Sequence, residues 1–273
     1  MRTFLRRIAL WLLCFLWVQG SAKADEVIRV GGTGAGTVIL QRMIEKYTET
    51  HPEVRFTALM PPLGSTGGFN ALMAGAIHLA ILSKKPDPAK SGGIAVIPWM
   101  TTPFVLVGRD IPDNSNLTRA QVAGILSGSL LQWPNGKPIR LVMRSEVESD
   151  TKLLASLSPA IGEAVSQALK RAGLTRADHD IENQQYLERT PGAFGTMSLV
   201  QMLMTSPDLK ALSLDGVVPS LDNLRNGSYP HEKKFYLMLS PSAPATARDF
   251  VTFLQASKTR EYLGEFGMTA LEN

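Results

Sequence analysis

Val27-Ile28-Arg29-Val30-Gly31-Gly32-Thr33-Gly34-Ala35-Gly36-Thr37-Val38, near the start of the chain, decides the fold class. Residues 26–31 read as a short strand, with Val27, Ile28 and Val30 apolar. A glycine-rich turn follows over 31–37. Val38, Leu40, Met43, Ile44 and Tyr47 then recur near helical spacing. His51-Pro52 ends that helix, and residues 54–59 read as a second strand. The pattern then repeats. Pro61-Pro62-Leu63-Gly64-Ser65-Thr66-Gly67-Gly68 is a turn, residues 69–76 a short helix, and 78–82 a nearly all-apolar run of the kind a buried parallel strand needs. Strand, glycine turn, helix, strand is the order of a parallel α/β sheet.

Further along, residues 94–97 and 104–107 read as two strands separated by Pro98 and Pro103. Thr118 with Gln121 forms a capping-box pattern that opens a helix running through Leu126. Residues 139–143 are a strand ending at Arg144. Residues 151–172 are helical, with Pro159 marking a break or a new start and Gly173 a stop. Residues 235–239 read as a strand and 245–255 as a helix with Phe250, Val251, Phe253 and Leu254 on its apolar side.

The first 24 residues stand apart from this grammar. Arg2, Arg6 and Arg7 precede an apolar run from Ile8 to Val18, too short to span a bilayer, and Ala22-Lys23-Ala24 has the small-x-small form of a signal-peptidase site. The expectation is a cleaved secretory signal over 1–24, a mature chain from Asp25 and a periplasmic location. Removing the signal takes away Arg2, Arg6, Arg7 and Lys23, which leaves 24 basic against 24 acidic residues. The mature chain is formally neutral, so the basic stripe a nucleic-acid partner needs is missing. Cys14 is the only cysteine and lies inside the apolar run, with Leu13 where a lipidation site wants a small residue. A mature chain without cysteine needs no disulfide. No later segment is apolar for long enough to cross a membrane.

An anion bound without a metal needs converging donors: helix N-terminal N–H groups, hydroxyls, and an arginine fork. Three turn-to-helix junctions offer them, at Gly36-Thr37, at Gly64-Ser65-Thr66-Gly67-Gly68, and at Arg144 followed by Ser149-Asp150-Thr151. Each follows a strand, and ligands of open α/β sheets sit at the carboxyl ends of strands. Singly, each is an ordinary cap; together they point to anion capture.

The same stretches resemble the phosphate-binding proteins of phosphate ABC importers, within the type II periplasmic solute-binding protein superfamily. The resemblance runs from about Val30 to Met268. It is carried by Gly36-Thr37-Val38, by Gly64-Ser65-Thr66-Gly67-Gly68 with Phe69-Asn70-Ala71-Leu72, by Leu82-Ser83-Lys84, and by Gln121 to Gly128 leading to Gln132-Trp133-Pro134. Thr190-Pro191-Gly192-Ala193-Phe194-Gly195 and Asn226-Gly227-Ser228-Tyr229-Pro230 complete it. It implies an α/β, two-lobed periplasmic-binding-protein-like fold of type II with a ligand cleft between the lobes. Lobe I would comprise 25–103 and 236–273, and lobe II 104–235. It also implies ligand contacts at Thr37, Val38 (backbone), Ser65, Thr66, Ser83, Arg144, Ser149 and Thr151, and capture of a small oxyanion, phosphate first, by a monomer that delivers it to an inner-membrane ABC permease. No cofactor and no catalysis are implied.

The third turn departs from the family. Arg-x-x-Gly-Ser-Gly-Thr is common there; here it reads Arg144-Ser145-Glu146-Val147-Glu148-Ser149-Asp150-Thr151, with both glycines lost and two carboxylates where an anion would arrive. Like charges at that range oppose binding, which motivates a second reading as a sensory or partner-binding protein with an altered pocket. Enzyme readings find little support. Leu63 breaks a G-x-S-x-G elbow at Ser65, Thr37 stands where a dinucleotide fingerprint needs its last glycine, and His51, His78, His179 and His231 lack metal-ligand spacing. Trp99 and Trp133 read as packing residues rather than ligand-stacking ones.

Overall fold

The computed structural model describes residues 27–113 and 115–271; the expected signal over 1–24, Cys14 included, lies outside the described residues. The opening βαβ pattern is present. Strand β1 (Val27–Gly32), helix α1 (Gly34–Thr48) and strand β2 (Arg55–Ala58) are followed by α2 (Gly64–Met73) and β3 (Leu79–Leu82). β1 pairs in parallel with both β2 and β3. The four residues of β3 are all buried, as expected of an inner parallel strand.

Both early helices begin sooner than the apolar periodicity suggests. Gly34-Ala35-Gly36-Thr37 is the first turn of α1, and Gly64-Ser65-Thr66-Gly67 the first turn of α2. Glycine is a poor helix former, so propensity favours a turn there; packing overrides it. A Cβ at Gly68 would lie 2.7 Å from the Cα of Gly32, so α2 can cross β1 only where it carries no side chain.

The two strands read at 94–97 and 104–107 are parts of one. β4 (Val96–Arg109) runs through both Pro98 and Pro103. Proline's fixed φ is compatible with extended chain; only its missing N–H costs a ladder bond. The register accommodates it: Phe235 of β10 (Glu232–Leu239) faces Met100 while Tyr236 faces Pro98, so Trp99 is the extra residue of a bulge. The first part of β4 pairs with β10, and residues 104–108 pair with β8 (Ala193–Ser198). β4 therefore joins the two halves of the sheet, ordered β2-β1-β3-β10-β4-β8-β6-β7, where β6 is Arg140–Arg144 and β7 Thr175–Ala177; off this path β9 (Leu209–Leu214) pairs with β4 and with β5 (Asn116–Leu117).

Two large hydrophobic cores flank this junction. One gathers Ile28, Val30, Ile39, Leu40, Trp99, Phe235, Phe250 and Leu254 around β1, α1 and the helix Ala245–Gln255. The other gathers Phe104, Leu106, Val122, Leu126, Trp133, Leu154, Ile161 and Phe194. Both tryptophans are buried and satisfied. Trp99 Nε1–H donates to the carbonyl of Leu254 and Trp133 Nε1–H to that of Gly192. The capping box holds as read: Thr118 opens α3 (Arg119–Ser127), accepting from the Gln121 N–H at 3.2 Å while the Gln121 side chain accepts from the Thr118 N–H at 2.8 Å. Thr118→Ala is expected to cost about 1 kcal/mol in a denaturant titration; a loss too small to measure would show that the box contributes nothing to stability. The helical stretch 151–172 divides into α4 (Ser149–Ser156) and α5 (Pro159–Leu169), with Ser158 capping and Pro159 at the first position.

Candidate functional site

β3, β6 and β10 bring the chemistry to one place. β3 ends at Leu82, which sets Ser83 beside the first turn of α2. Ser65 Oγ lies 3.0 Å from Ser83 Oγ and accepts from the Ser83 N–H at 2.9 Å. Across the gap Ser83 Oγ lies 3.2 Å from Ser149 Oγ, the first residue of α4. Ser65, Thr66, Ser83 and Ser149 all line a cleft of about 930 Å³. Neither α2 nor α4 has a side-chain cap; Leu63 and Glu148 stand at their N-cap positions. Two helix N-termini therefore meet the cleft with their N–H groups uncapped by side chains, each favouring negative charge.

Behind the cleft lies a buried ionic cluster. Arg144, at the end of β6, donates through Nη1 to Asp180 Oδ1 at 3.0 Å, through Nη2 to Glu148 Oε2 at 2.7 Å, and through Nε to the carbonyl of Ala177. Lys233 of β10 donates to Asp150 at 2.6 Å and to Asp180 at 2.9 Å. Arg144, Asp150, Asp180 and Lys233 are all at most 3% exposed. Burial alone would favour the neutral forms of Arg144, Asp180 and Lys233, and mutual attraction reverses that. Against desolvation, Lys233 and Arg144 hold the Asp180 carboxyl well below the usual carboxylate range. Against desolvation again, Asp180, Asp150 and Glu148 raise Arg144, and Asp150 and Asp180 raise Lys233. Glu148, which also lines the cleft, goes the other way: burial pushes its pKa up, and the nearby carboxylates outweigh part of the help from Arg144.

Asp180 also reaches the N-terminus of α1. Its carboxylate accepts from Thr33 Oγ1 at 3.2 Å, and the nearby Ala35 N–H helps to hold its pKa down. A Cβ on Gly34 would lie 2.8 Å from the Asp180 Cβ. The glycine turn that looks built for an external anion thus receives a carboxylate of the chain itself. The start of α1 packs against residue 180, with the arginine and a lysine as countercharges.

The residues singled out from the sequence separate accordingly. Ser65, Thr66, Ser83 and Ser149 come together on the cleft. Arg144 lies behind Glu148. Thr37 is buried with its hydroxyl donating to the carbonyl of Thr33, and Val38 follows it in α1; neither lines the cleft. Thr151 donates to the carbonyls of Arg144 and Ser145, closing the β6–α4 turn. Asp180 and Lys233 have no sequence motif. The one available sign was Lys233-Lys234 just ahead of an apolar strand: period-two alternation buries one lysine when the strand starts early enough.

Comparison with known proteins agrees with the geometry. A family profile described as a PBP superfamily domain matches residues 18–258. The phosphate-binding protein PstS of Bacillus subtilis (strain 168) is 21% identical over 245 residues, covering 87% of this chain and 78% of that protein. An ABC-type phosphate transport receptor from Vibrio cholerae superposes with a TM-score of 0.59 at 19% identity, over 90% of this chain and 100% of that one. The high-affinity periplasmic phosphate-binding protein PfluDING, solved with phosphate, gives 0.64 at 16% identity over 90% of each chain. The two-lobed fold expected from the sequence is the fold these proteins share.

Proposed function

The chain belongs to the PBP superfamily, and we propose that it captures a small oxyanion, phosphate first, in the cleft between its lobes for an ABC-type importer. The observation that carries this reading is the convergence of Ser65, Ser83 and Ser149 with the uncapped N-termini of α2 and α4. The three hydroxyls now bond to one another; a tetrahedral anion would take over those donors and add the N–H groups of both helices. Thr66 and Lys84 border the same seat. Two of the similar proteins are named as a phosphate-binding protein and an ABC-type phosphate transport receptor. On this reading the leader 1–24 is cleaved on export, the mature protein is a periplasmic monomer, and its partner is an inner-membrane permease.

The test is calorimetric titration of the chain from Asp25 with phosphate, sulfate, molybdate and a phosphonate. Saturable 1:1 binding is expected, weakened about 10- to 100-fold in Ser149→Ala, the usual effect of losing a hydrogen bond to a charged group. Absence of heat with every anion, from a folded protein, overturns the proposal.

A further inference from the structure

The cleft is far larger than the seat at its inner end. A tetrahedral oxyanion has five heavy atoms, whereas the cleft holds about 930 Å³, near the top of the roughly 300–1,000 Å³ typical of organic-ligand sites. This volume is not that of a cleft gaping at its floor. Ser83 already meets Ser149 there, and Asp180 already meets Thr33 and Ala35. The space extends outward from a floor where the two sides are in contact.

The walls of that space are ordered. On one side α4 turns a single face to it: Ser149, then Leu153, then Leu157 at the helix end. At 1.5 Å per residue this face runs about 12 Å from the serine seat. On the other side Pro230, Glu232, Lys234 and Tyr236 alternate along β10 and its lead-in toward the same space. Lys233, between them, points into the buried cluster, as period two requires. Phe104 lines the cleft between these walls, and Leu63 and Val147, both exposed large apolar residues, line it as well. Lysines outnumber acids, with Lys84, Lys85, Lys152 and Lys234 against Glu148 and Glu232. The result is an anionic head site continuous with an apolar, lysine-rimmed groove.

Resting on the oxyanion reading above, we infer that the ligand is an organic phosphate monoester or phosphonate. Its tetrahedral head sits on Ser65, Ser83 and Ser149, and its substituent lies along Leu153 and Leu157 of α4. Inorganic phosphate would fill the head site and leave the groove to water. An apolar substituent gains in proportion to the area it buries there.

The experiment is a titration series on the intact chain from Asp25: inorganic phosphate, methyl phosphate, phenyl phosphate and phenylphosphonate, repeated on Leu153→Ala and Val147→Ser. Phenyl phosphate is expected to bind at least about tenfold more tightly than inorganic phosphate. Leu153→Ala should remove most of that preference while leaving inorganic phosphate affinity unchanged, which also shows that the variant is folded. Val147, on the exposed rim, supplies a second variant free of packing cost. Inorganic phosphate binding with the esters weaker or excluded overturns this inference and leaves the oxyanion reading standing. No binding by any of the four overturns both.

Discussion

Asp180→Ala is expected to lower the folding stability by about 3–5 kcal/mol, the usual cost of removing one partner from a buried ion pair. Asp180 is the hub of the cluster. It accepts from Arg144 and Lys233 and from the Thr33 hydroxyl, and it lies against the start of α1. Without it two buried cations retain Asp150 and the cleft-facing Glu148, and the positive end of α1 loses its neighbouring carboxylate. Oδ2 of Asp150 lies 3.8 Å from Arg144 Nη1, an ion pair beyond hydrogen-bond reach, so Asp150 replaces little of that hold without rearrangement. Denaturant midpoints at constant slope would register the loss; a change below 1 kcal/mol would mean the cluster is dispensable. The effect has a pH signature. The Asp180 pKa is lowered on folding, so its contribution is full above the ordinary aspartate range and is lost as the pH falls through the depressed value. The deficit of the variant should therefore be largest near neutrality and shrink in acid.

Glu148→Gln should strengthen oxyanion binding about 10- to 100-fold. Glu148 caps Arg144 on the cleft side at 2.7 Å and lines the same cleft as the three serines. Around it two cations, Arg144 and Lys233, face three carboxylates, Glu148, Asp150 and Asp180. Neutralising Glu148 removes the excess negative charge and loosens its hold on Arg144; a unit charge a few ångströms away is worth on the order of 1–3 kcal/mol at a partly solvated site. The same logic gives the wild type a pH dependence. Because burial raises the Glu148 pKa, its protonation begins above the ordinary glutamate range, and affinity for sulfate should rise as the pH falls through that window. His231 also lines the cleft, but burial lowers its pKa, so it gains charge only below the usual histidine range. A Glu148→Gln protein should lose the Glu148 part of the dependence and keep any His231 part. Unchanged affinity in Glu148→Gln would show that Glu148 does not oppose the ligand.

Much of the architecture was legible because it is local. Alternation, helical spacing and turn residues report on neighbours within a few positions, and they found β1, β2, α3, the helix at 245–255 and the capping box at Thr118. The order of the short motifs was enough to recognise the family. Where local signals conflicted with packing they erred in one direction. The glycines at 34, 36 and 64 argued for turns yet begin helices, and Pro98 and Pro103 argued for two strands where there is one. In the first case tertiary contact outweighed a helix propensity of about 1 kcal/mol per glycine; in the second, extended chain tolerated proline at the loss of a ladder bond.

The candidate site was half legible. The serines at 65, 83 and 149 stand at strand ends and helix starts, and such positions can be read from sequence. The fate of the arginine could not be. Arg144, a natural choice for gripping an anion, is held by Asp180 and Glu148. The first helix N-terminus is occupied by Asp180, which lies 147 positions from Thr33. Asp180 and Lys233 carry no motif, because a charge pair across a cleft depends on which strand ends the sheet order brings together. The sequence by itself determined the elements, the α/β class and the family. Only the tertiary structure decided which charges face the cleft and which neutralise one another behind it, since Coulomb pairing follows distance in space and not along the chain.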